Sequence, residues 1–180
     1  MSRALVAVLA GGRSRRMRTA KALVPFAGEP LIAHPLRAAA AAGLDAVVVA
    51  KAASELPPLD VPVWFEPDEP QHPLAGVVRA LESGRPVVAV PCDMPFVTPE
   101  LLAHLASLDG LAAPAGQPFP ARYEPAALPA VREALAREAP VRATLAALAP
   151  AQVDLRPFGD PERLTLSVNT PEQLASLPAP

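Results

Sequence analysis

A pair of glycines near the start of the chain is followed by a run of cationic side chains. Gly11 and Gly12 come directly after the apolar segment Arg3–Ala10. The cationic residues in the nine positions that follow are Arg13, Arg15, Arg16, Arg18 and Lys21. Glycine lets a backbone approach a ligand closely, and exposed amide groups bind anions. The pattern predicts a polyphosphate-binding loop, and a glycine-rich turn with a solvated basic loop is the alternative.

The spacing of this loop excludes two familiar phosphate-binding motifs. The interval from the glycines to Lys21 is too long for a P-loop, and the chain contains no Gly-Lys-Ser/Thr sequence. The loop does not match Gly-x-Gly-x-x-Gly either. The prediction of phosphate binding therefore depends on the glycines and the cations themselves.

An acidic residue follows a second apolar segment farther along the chain. Asp93 comes shortly after Pro86–Val90, and the carboxyl ends of parallel strands meet at the crevice where open α/β sheets bind ligands. Mg²⁺ prefers oxygen ligands, typically one or two carboxylates together with phosphates. We therefore predict that Asp93 is a Mg²⁺ ligand that bridges to nucleotide phosphates, and an Asp that caps the next turn is the alternative. Cys92 lies beside it without the His or Asp arrangement that would make it a nucleophile.

Apolar strands and helices are expected to alternate over roughly the first 110 residues, and these elements would position the two motifs. There the predicted strands are Arg3–Ala10, Ala46–Ala50, Val61–Phe65 and Pro86–Val90. The predicted helices are Leu31–Ala42, Leu74–Ser83 and one that begins at Thr98-Pro99-Glu100. Beyond them, the predicted strands are Pro118–Tyr123 and Leu164–Val168, and the predicted helices are Ala126–Arg137, Val141–Leu148 and one that begins at Thr170-Pro171-Glu172.

Short, continuously apolar strands joined by helical crossovers are typical of a mostly parallel sheet with helices on both faces. We therefore predict an α/β fold, in the form of a Rossmann-like domain of three layers. No repeat, linker or low-complexity segment interrupts the sequence. The prediction is a single domain that spans residues 1–180.

Composition narrows the class of protein further. Half of the 180 residues are hydrophobic (51%) and only 19% are charged, which excludes a disordered chain. A formal net charge of -2 provides no basic field for nucleic acid or an anionic membrane. The single cysteine cannot form an intrachain disulfide, and no apolar stretch reaches the roughly 18–20 residues that span a bilayer. We expect a cytoplasmic protein without nucleic-acid or membrane partners.

The segment from Leu9 to Lys21 resembles the signature LAGGxSxRMGxDK of the molybdenum cofactor guanylyltransferase family. The resemblance implies that Leu9 and Ala10 belong to the nucleotide-binding loop. It also implies that the loop holds the phosphates and ribose of GTP through residues that match the signature: Gly11, Gly12, Arg16 and Lys21. Two positions depart from it, because Arg18 stands where the family has Gly and Ala20 where it has Asp.

Other segments extend the resemblance over most of the chain. The run Cys92-Asp93-Met94-Pro95 matches the family's Cys-Asp-x-Pro block, in which the Asp is a Mg²⁺ ligand. The resemblance implies nucleotide contacts for Asp68 and Gly76, and contacts with the pterin substrate for Tyr123 and Asn169. Lys51 stands where an Asn-like guanine contact would be expected, and it receives no role here.

The resemblance implies a fold like that of the nucleotide-diphospho-sugar transferases and the transfer of GMP from GTP to molybdopterin, with Mg²⁺ as the cofactor and pyrophosphate as the product. Arg16, Lys21 and Asp93 would be the catalytic residues, and contact with other molybdenum-cofactor proteins would be transient. Two alternatives stay open: a sibling enzyme that uses CTP or a sugar or other small phosphate acceptor, and a nucleotide-binding paralogue without turnover. The Leu-Ala-Gly-Gly sequence favours GTP by resemblance only, because nothing in the residue chemistry selects the base.

Overall fold

The computed structural model describes residues 3–12 and 20–178. Nine strands form a seven-stranded sheet and a two-stranded hairpin within these ranges. In chain order they are β1 (Leu5–Leu9), β2 (Pro25–Phe26), β3 (Glu29–Pro30), β4 (Asp45–Lys51), β5 (Val63–Glu66), β6 (Val87–Pro91), β7 (Ala112–Pro114), β8 (Ala121–Tyr123) and β9 (Ala151–Val153).

The large sheet has the order β5-β4-β1-β6-β8-β7-β9. Strand β8 is antiparallel to both of its neighbours, and the other pairings in this sheet are parallel. Strands β1, β4 and β6 are almost completely buried, as expected for central strands that are covered on both faces. The predicted mostly parallel α/β sheet is confirmed.

Seven α-helices lie in the described part of the chain. They are α1 (Ala33–Ala41), α2 (Pro73–Leu81), α3 (Pro99–Ser107), α4 (Leu128–Ala136), α5 (Val141–Ala147), α6 (Pro161–Leu164) and α7 (Pro171–Ser176). Helices α1 and α3 contact each other, as do α2 and α4. Helix α1 connects β1 to β4, whereas α2 leads from β5 back across the sheet to β6. Because right-handed crossovers in opposite directions place their helices on opposite faces, these two pairs form the outer layers.

Side-chain caps fix the starts of α2, α3 and α7. Thr98 Oγ1 accepts a hydrogen bond from the amide of Leu101 at 3.3 Å, and Thr170 Oγ1 accepts one from Gln173 at 3.1 Å. His72 Nδ1 accepts from the amide of Leu74 at 3.2 Å and caps α2. The two threonine caps confirm the helix starts that the Thr-Pro-Glu sequences predict.

The prediction of a strand over Leu164–Val168 is wrong. Helix α6 ends at Leu164, and the segment after it forms no strand pairing. Asp160 caps α6 through the amide of Glu162 at 3.1 Å, so this local helix signal outweighs the short apolar run that follows it. Within this segment, Val168 N instead donates a backbone hydrogen bond to Asp93 O at 2.9 Å.

A small apolar cluster anchors this segment to the rest of the fold. It is separate from the main core and consists of Val24, Phe26, Leu31, Phe96 and Val168. These residues come from the β2–β3 hairpin region, the turn after β6 and the segment before α7. The cluster therefore joins three parts of the chain that surround Asp93.

Candidate active site

A cleft of about 1150 Å³ opens at the carboxyl ends of β1, β4, β5 and β6. Residues that follow all four strands contribute to its lining, as expected for a ligand site in an open α/β sheet. Most of the residues with predicted roles line it: Leu9, Ala10, Gly11, Gly12, Lys21, Asp68, Gly76 and Asp93. The structure therefore brings these residues to one place, and their individual roles stay predictions.

Lys21 and Asp93 form the closest charged contact in the cleft. Lys21 begins a short 3₁₀ helix, Lys21–Leu23, and its Nζ atom lies 2.5 Å from Oδ2 of Asp93. The same Nζ atom donates a hydrogen bond to Oδ1 of Asn169 at 2.7 Å. One ammonium group thus joins the end of the glycine loop, the turn after β6 and the segment before α7.

Asn169 is held in this position by its own neighbours. Its side-chain Nδ2 donates to the carbonyl oxygen of Ser167 at 2.9 Å, and its backbone amide donates to Oε1 of Gln173 at 2.8 Å. The hydrogen bond from Val168 N to Asp93 O, described above, fixes the same segment beside the metal-ligand candidate. Asn169 therefore presents its carbonyl group to Lys21 from a fixed direction.

The second oxygen of Asp93 has the character expected of a metal ligand. Asp93 is 7% exposed, and its Oδ1 atom is buried without a hydrogen-bond partner among the described residues. A buried carboxylate oxygen is costly to leave unpaired. The same residues contain no group of three or more His, Cys, Asp or Glu side chains that could hold a metal alone. One carboxylate fits Mg²⁺, which also takes ligands from substrate phosphates and water.

The two glycines of the loop differ in the space around them. A methyl group on Gly11 would overlap Oε1 of Glu66, whereas a methyl group on Gly12 would meet no atom within 4 Å. Gly76, in α2, would place a methyl group 3.0 Å from Oε2 of the same carboxylate. Close packing of Glu66 therefore requires glycine at positions 11 and 76.

Glu66 forms a buried ion pair that the sequence analysis missed. Lys51 ends β4 and Glu66 ends β5, and the two residues are cross-strand partners. Lys51 Nζ lies 3.3 Å from Oε1 of Glu66 and donates a hydrogen bond to the carbonyl oxygen of Pro67 at 2.5 Å. The residues are only 6% and 8% exposed. Burial raises the pKa of the Glu66 carboxyl, and the Lys51 ammonium opposes that shift.

One sequence signal could have revealed this pair. Each residue directly follows a short apolar run that predicts a strand, Ala46–Ala50 before Lys51 and Val61–Phe65 before Glu66. Opposite charges at the carboxyl ends of two neighbouring parallel strands face the same crevice.

Asp68 and His72 lie on the loop between β5 and α2. Asp68 is exposed in the cleft, and its backbone carbonyl accepts a hydrogen bond from Nε2 of Gln71 at 2.7 Å. His72 also lines the cleft, where its ring caps α2. The carboxylate of Asp68 is accessible to a ligand, and its predicted contact with the nucleotide stays a prediction.

Tyr123 does not reach the cleft. It lies in β8 with an exposure of 0%, its hydroxyl has no hydrogen-bond partner among the described residues, and burial raises its pKa. The predicted pterin contact of Tyr123 is therefore not supported, because β8 pairs with β6 and directs this ring into the core. Phe119, two residues before that strand, lines the cleft instead.

Cys92 lies beside the metal-ligand candidate as a buried thiol. It lines the cleft at 6% exposure, and burial raises its pKa to about 12. Such a thiol carries almost no thiolate at neutral pH and is a poor nucleophile. Arg16, the remaining predicted catalytic residue, lies outside the described residues, as does Arg18.

The fold and the site together define an α/β protein with a ligand cleft at the carboxyl edge of a mostly parallel sheet. Within that class the chain belongs to the family of the MobA-like NTP transferase domain, whose profile matches residues 6–154. The described residues include no helix that is long and apolar enough to cross a membrane.

Two relatives by sequence illustrate what the chain is similar to. The chain is 36% identical over 119 residues to the bifunctional protein GlmU of Halorhodospira halophila, a match that covers 59% of this chain and 24% of that protein. It is 38% identical over 104 residues to the molybdenum cofactor guanylyltransferase of Methylibium petroleiphilum, which covers 55% of this chain and 51% of that one. The chain thus spans about half or less of the length of these relatives.

A solved structure resembles the whole chain. The molybdopterin-guanine dinucleotide biosynthesis protein A from Archaeoglobus fulgidus superposes with a TM-score of 0.77 at 25% identity, over 95% of each chain. The resemblance to the molybdenum cofactor guanylyltransferase family that the sequence motifs indicated is therefore confirmed.

Proposed function

We propose that this chain transfers GMP from GTP to molybdopterin and releases pyrophosphate, in a reaction that requires Mg²⁺. The observation that carries the proposal is the 2.5 Å contact of Lys21 Nζ with Oδ2 of Asp93, at the end of a glycine loop in a large cleft. It combines a cation for phosphate oxygens with a buried carboxylate for a metal. Relatives that are named molybdenum cofactor guanylyltransferase support the choice of substrates.

The proposed reaction is a displacement at the α-phosphorus of GTP. An oxygen of the terminal phosphate of molybdopterin forms the new P–O bond, and the bond to the β-phosphate breaks as pyrophosphate leaves. The attacking phosphate is already an anion at neutral pH, so the reaction needs no general base. Catalysis then depends on aligning the acceptor phosphate with the α-phosphorus and on stabilising the charge of the leaving pyrophosphate.

Each group of the site has one task in this proposal. The amides of Gly11 and Gly12 would donate to the triphosphate, and Lys21, with Arg16, would neutralise its charge. Asp93 would hold Mg²⁺, which, when bound, polarises the phosphate and stabilises charge on the leaving group. Asn169 contacts Lys21 and would face the pterin substrate.

Pyrophosphate release tests the proposal. The protein would be incubated with Mg²⁺ and molybdopterin, and GTP, CTP, ATP and UTP would be supplied in parallel, with EDTA and acceptor-free controls. Release with GTP that requires both the acceptor and the metal is the expected result. Release with CTP alone would replace GTP by another nucleotide, and GTP binding without release would indicate a nucleotide-binding protein without turnover.

A further inference from the structure

We infer that the buried Lys51–Glu66 pair selects nucleotides with a keto base, guanine above all, over those with an amino base. The inference rests on the proposed function and adds to it, because it identifies side chains that choose the base. It assigns a role to two residues that the loop and metal motifs leave without one. The pair would act by presenting a hydrogen-bond donor next to an acceptor at the wall of the cleft.

The pair has the required chemistry and spacing. Lys51 Nζ lies 3.3 Å from Oε1 of Glu66, and both residues line the cleft. An ammonium group has three donors. Within residues 3–12 and 20–178, its acceptors are the Glu66 carboxylate and the carbonyl of Pro67, so a third donor can serve a ligand. An ionised carboxylate only accepts hydrogen bonds, so the order of donor and acceptor along this wall is fixed.

The nucleotide bases form two classes by the order of the hydrogen-bond donor and acceptor that they would present to Lys51 and Glu66. Guanine and uracil present a keto oxygen next to a ring N–H, so the oxygen can accept from Lys51 while the N–H donates to Glu66. Adenine and cytosine present an amino group next to a ring nitrogen, which is the reverse order. An amino base in the same orientation would place a donor against Lys51 and an acceptor against Glu66, so both hydrogen bonds to the base would be lost, and sites of this kind reject such ligands strongly.

Guanine has an additional donor beside the ring N–H. Its 2-amino group can donate to the second oxygen of Glu66, so the carboxylate would accept two parallel hydrogen bonds. Bidentate contacts to an ionised group are stronger and more directional than single neutral ones. The pair would therefore rank guanine above hypoxanthine, the base of ITP, which lacks this amino group, and would also rank it above uracil.

The position of the pair in the sheet fits the base end of a nucleotide. Lys51 ends β4, and β4 is separated from β6 by β1. Neighbouring strands lie about 4.8 Å apart, so the pair lies on the order of 10 Å from the strand that leads to Asp93. An extended nucleotide with its phosphates at Lys21 and Asp93 would cover this distance and place its base near the pair.

Two glycines allow the Glu66 carboxylate to lie at the wall of the cleft. Gly11 and Gly76 lie against the two oxygens of Glu66: a methyl group at position 11 would overlap Oε1, and one at position 76 would lie 3.0 Å from Oε2. Both glycines line the cleft together with the ion pair. A base in the cleft would therefore have to reach Glu66 from the side that the two glycine backbones do not cover.

Nucleotide binding to the intact chain tests the inference without depending on turnover. Dissociation constants would be measured by calorimetry with Mg²⁺ for GTP, ITP, UTP, ATP and CTP, on the wild type, Glu66→Gln and Lys51→Met. The double variant Lys51→Met/Glu66→Gln removes both charges together and avoids a lone buried charge that could prevent folding. Glu55→Gln, which removes an exposed carboxylate from the same cleft, is the matched charge control.

In the wild type, we expect GTP to bind most tightly, ITP less tightly, and ATP and CTP the most weakly. Glu66→Gln and the double variant should reduce the preference for GTP over ATP by on the order of 10–100-fold, since each removes charged hydrogen bonds. Glu55→Gln should retain the preference. Thermal unfolding of each variant would show that the change occurs in folded protein.

Contrary outcomes separate this inference from the proposed function. If the wild type prefers GTP and the folded variants keep the same preference, the inference is wrong while the proposed function stands. If the wild type prefers CTP or ATP, the inference and the choice of GTP are both wrong. If none of the nucleotides binds, the proposed function fails and the inference fails with it.

Discussion

Lys21 and Asp93 are 72 positions apart in the sequence, yet the ammonium of Lys21 lies 2.5 Å from Oδ2 of Asp93. The contact joins the end of the glycine loop after β1 to the turn after β6, and these two strands are paired neighbours in the sheet. The other carboxylate oxygen of Asp93 is buried and has no hydrogen-bond partner in the part of the chain that the structure describes. The pair therefore has one oxygen neutralised by a cation and one oriented for a further ligand.

Removing the carboxylate of Asp93 should abolish most of the proposed activity. We expect Asp93→Ala to lower Mg²⁺-dependent turnover by at least about 10²-fold, the scale of losing one preorganised electrostatic group. The measurement is the initial rate of pyrophosphate release over a range of Mg²⁺ concentrations. Asp109→Asn, at an exposed position outside the cleft lining, is the matched control and should retain the wild-type rate. A near-normal rate for Asp93→Ala would contradict the role of this residue.

Lys21→Ala should act mainly on nucleotide binding. The ammonium has no proton to transfer in the proposed displacement, and it contributes charge next to the phosphates. We expect a raised dissociation constant for GTP, by roughly 10-fold or more, since hydrogen bonds to charged groups are worth about 1.5–3 kcal/mol. A GTP titration identical to that of the wild type would remove Lys21 from the phosphate site.

Much of the fold could be predicted because its central strands are unusual in composition. β1, β4 and β6 are buried on both faces and read as continuous apolar runs, so their positions follow from the sequence. Short elements such as the β2–β3 hairpin and the three-residue β9 carry no periodicity to detect. They form because neighbouring segments offer hydrogen-bond partners, which depends on the tertiary arrangement.

The residues of the candidate site also fall into those that the sequence predicts and those that depend on strand pairing. Gly11, Gly12 and Asp93 could be predicted because residues at the carboxyl ends of parallel strands share one edge of the sheet. The sequence shows that Lys51 and Glu66 each follow an apolar run, but their contact also requires the register of β4 against β5, which neither segment shows alone. The orientation of Tyr123 depends on the pairing of β8 with β6, and that pairing turned the ring into the core.

The two glycines of the loop should respond differently to substitution by alanine. Gly11→Ala places a methyl group against the Glu66 carboxylate, whereas the same change at Gly12 meets open space. We expect Gly11→Ala to lower the free energy of unfolding by about 1–3 kcal/mol, as overpacking does, and Gly12→Ala to change it by less than about 0.5 kcal/mol. Urea unfolding of the two variants measures the difference.

A second substitution distinguishes this clash from a general effect of alanine. Glu66→Asp shortens the side chain by one methylene and withdraws the carboxylate from position 11. The double variant Gly11→Ala/Glu66→Asp should therefore be more stable than the sum of the single changes predicts. Additive losses would show that Glu66 is not the cause.

His34 should make folding stability depend on pH. Its ring is buried, donates from Nε2 to the carbonyl oxygen of Phe26 at 3.0 Å, and accepts at Nδ1 from Nη2 of Arg37 at 3.0 Å. Both contacts suit the neutral ring. Burial lowers the pKa of His34 below its ordinary value of 6.5, and the nearby Arg37 charge acts in the same direction.

The sign of this effect follows from the lowered pKa. Above pH 6.5 the histidine is neutral in the folded and unfolded chains, so its contribution to stability is fully present. As the pH falls below that value, the unfolded chain takes up a proton first, and the contribution is lost until the folded pKa is passed. His34→Gln should reduce the loss of stability between pH 7 and 5, measured by urea unfolding. If His34→Gln leaves the pH dependence of the unfolding free energy unchanged, groups other than His34 set that dependence.

Arg122 should stabilise the junction of α3 with β8. It is 4% exposed and donates hydrogen bonds to two carbonyl oxygens. One belongs to Ala106, in the last turn of α3, at 2.9 Å, and the other to Gly110, after the end of α3, at 3.1 Å. It also pairs with Oε1 of Glu124 at 2.5 Å. Arg122→Met would leave these acceptors unpaired while filling much of the space. We expect a loss of about 3 kcal/mol, since breaking a buried pair is costly and Glu124 remains partly exposed.

An exposed ion pair provides the matched control for this change. Arg156 contacts Oδ2 of Asp154 at 2.8 Å on the surface, and the contact lowers the pKa of Asp154. Solvent screens such pairs, so Arg156→Met should leave the midpoint of urea unfolding unchanged within error. Equal losses for the two variants would mean that burial does not set the strength of the Arg122 contacts. A large loss of unfolding free energy for Arg122→Met alone would show that the Arg122 contacts stabilise the packing of β8 against α3.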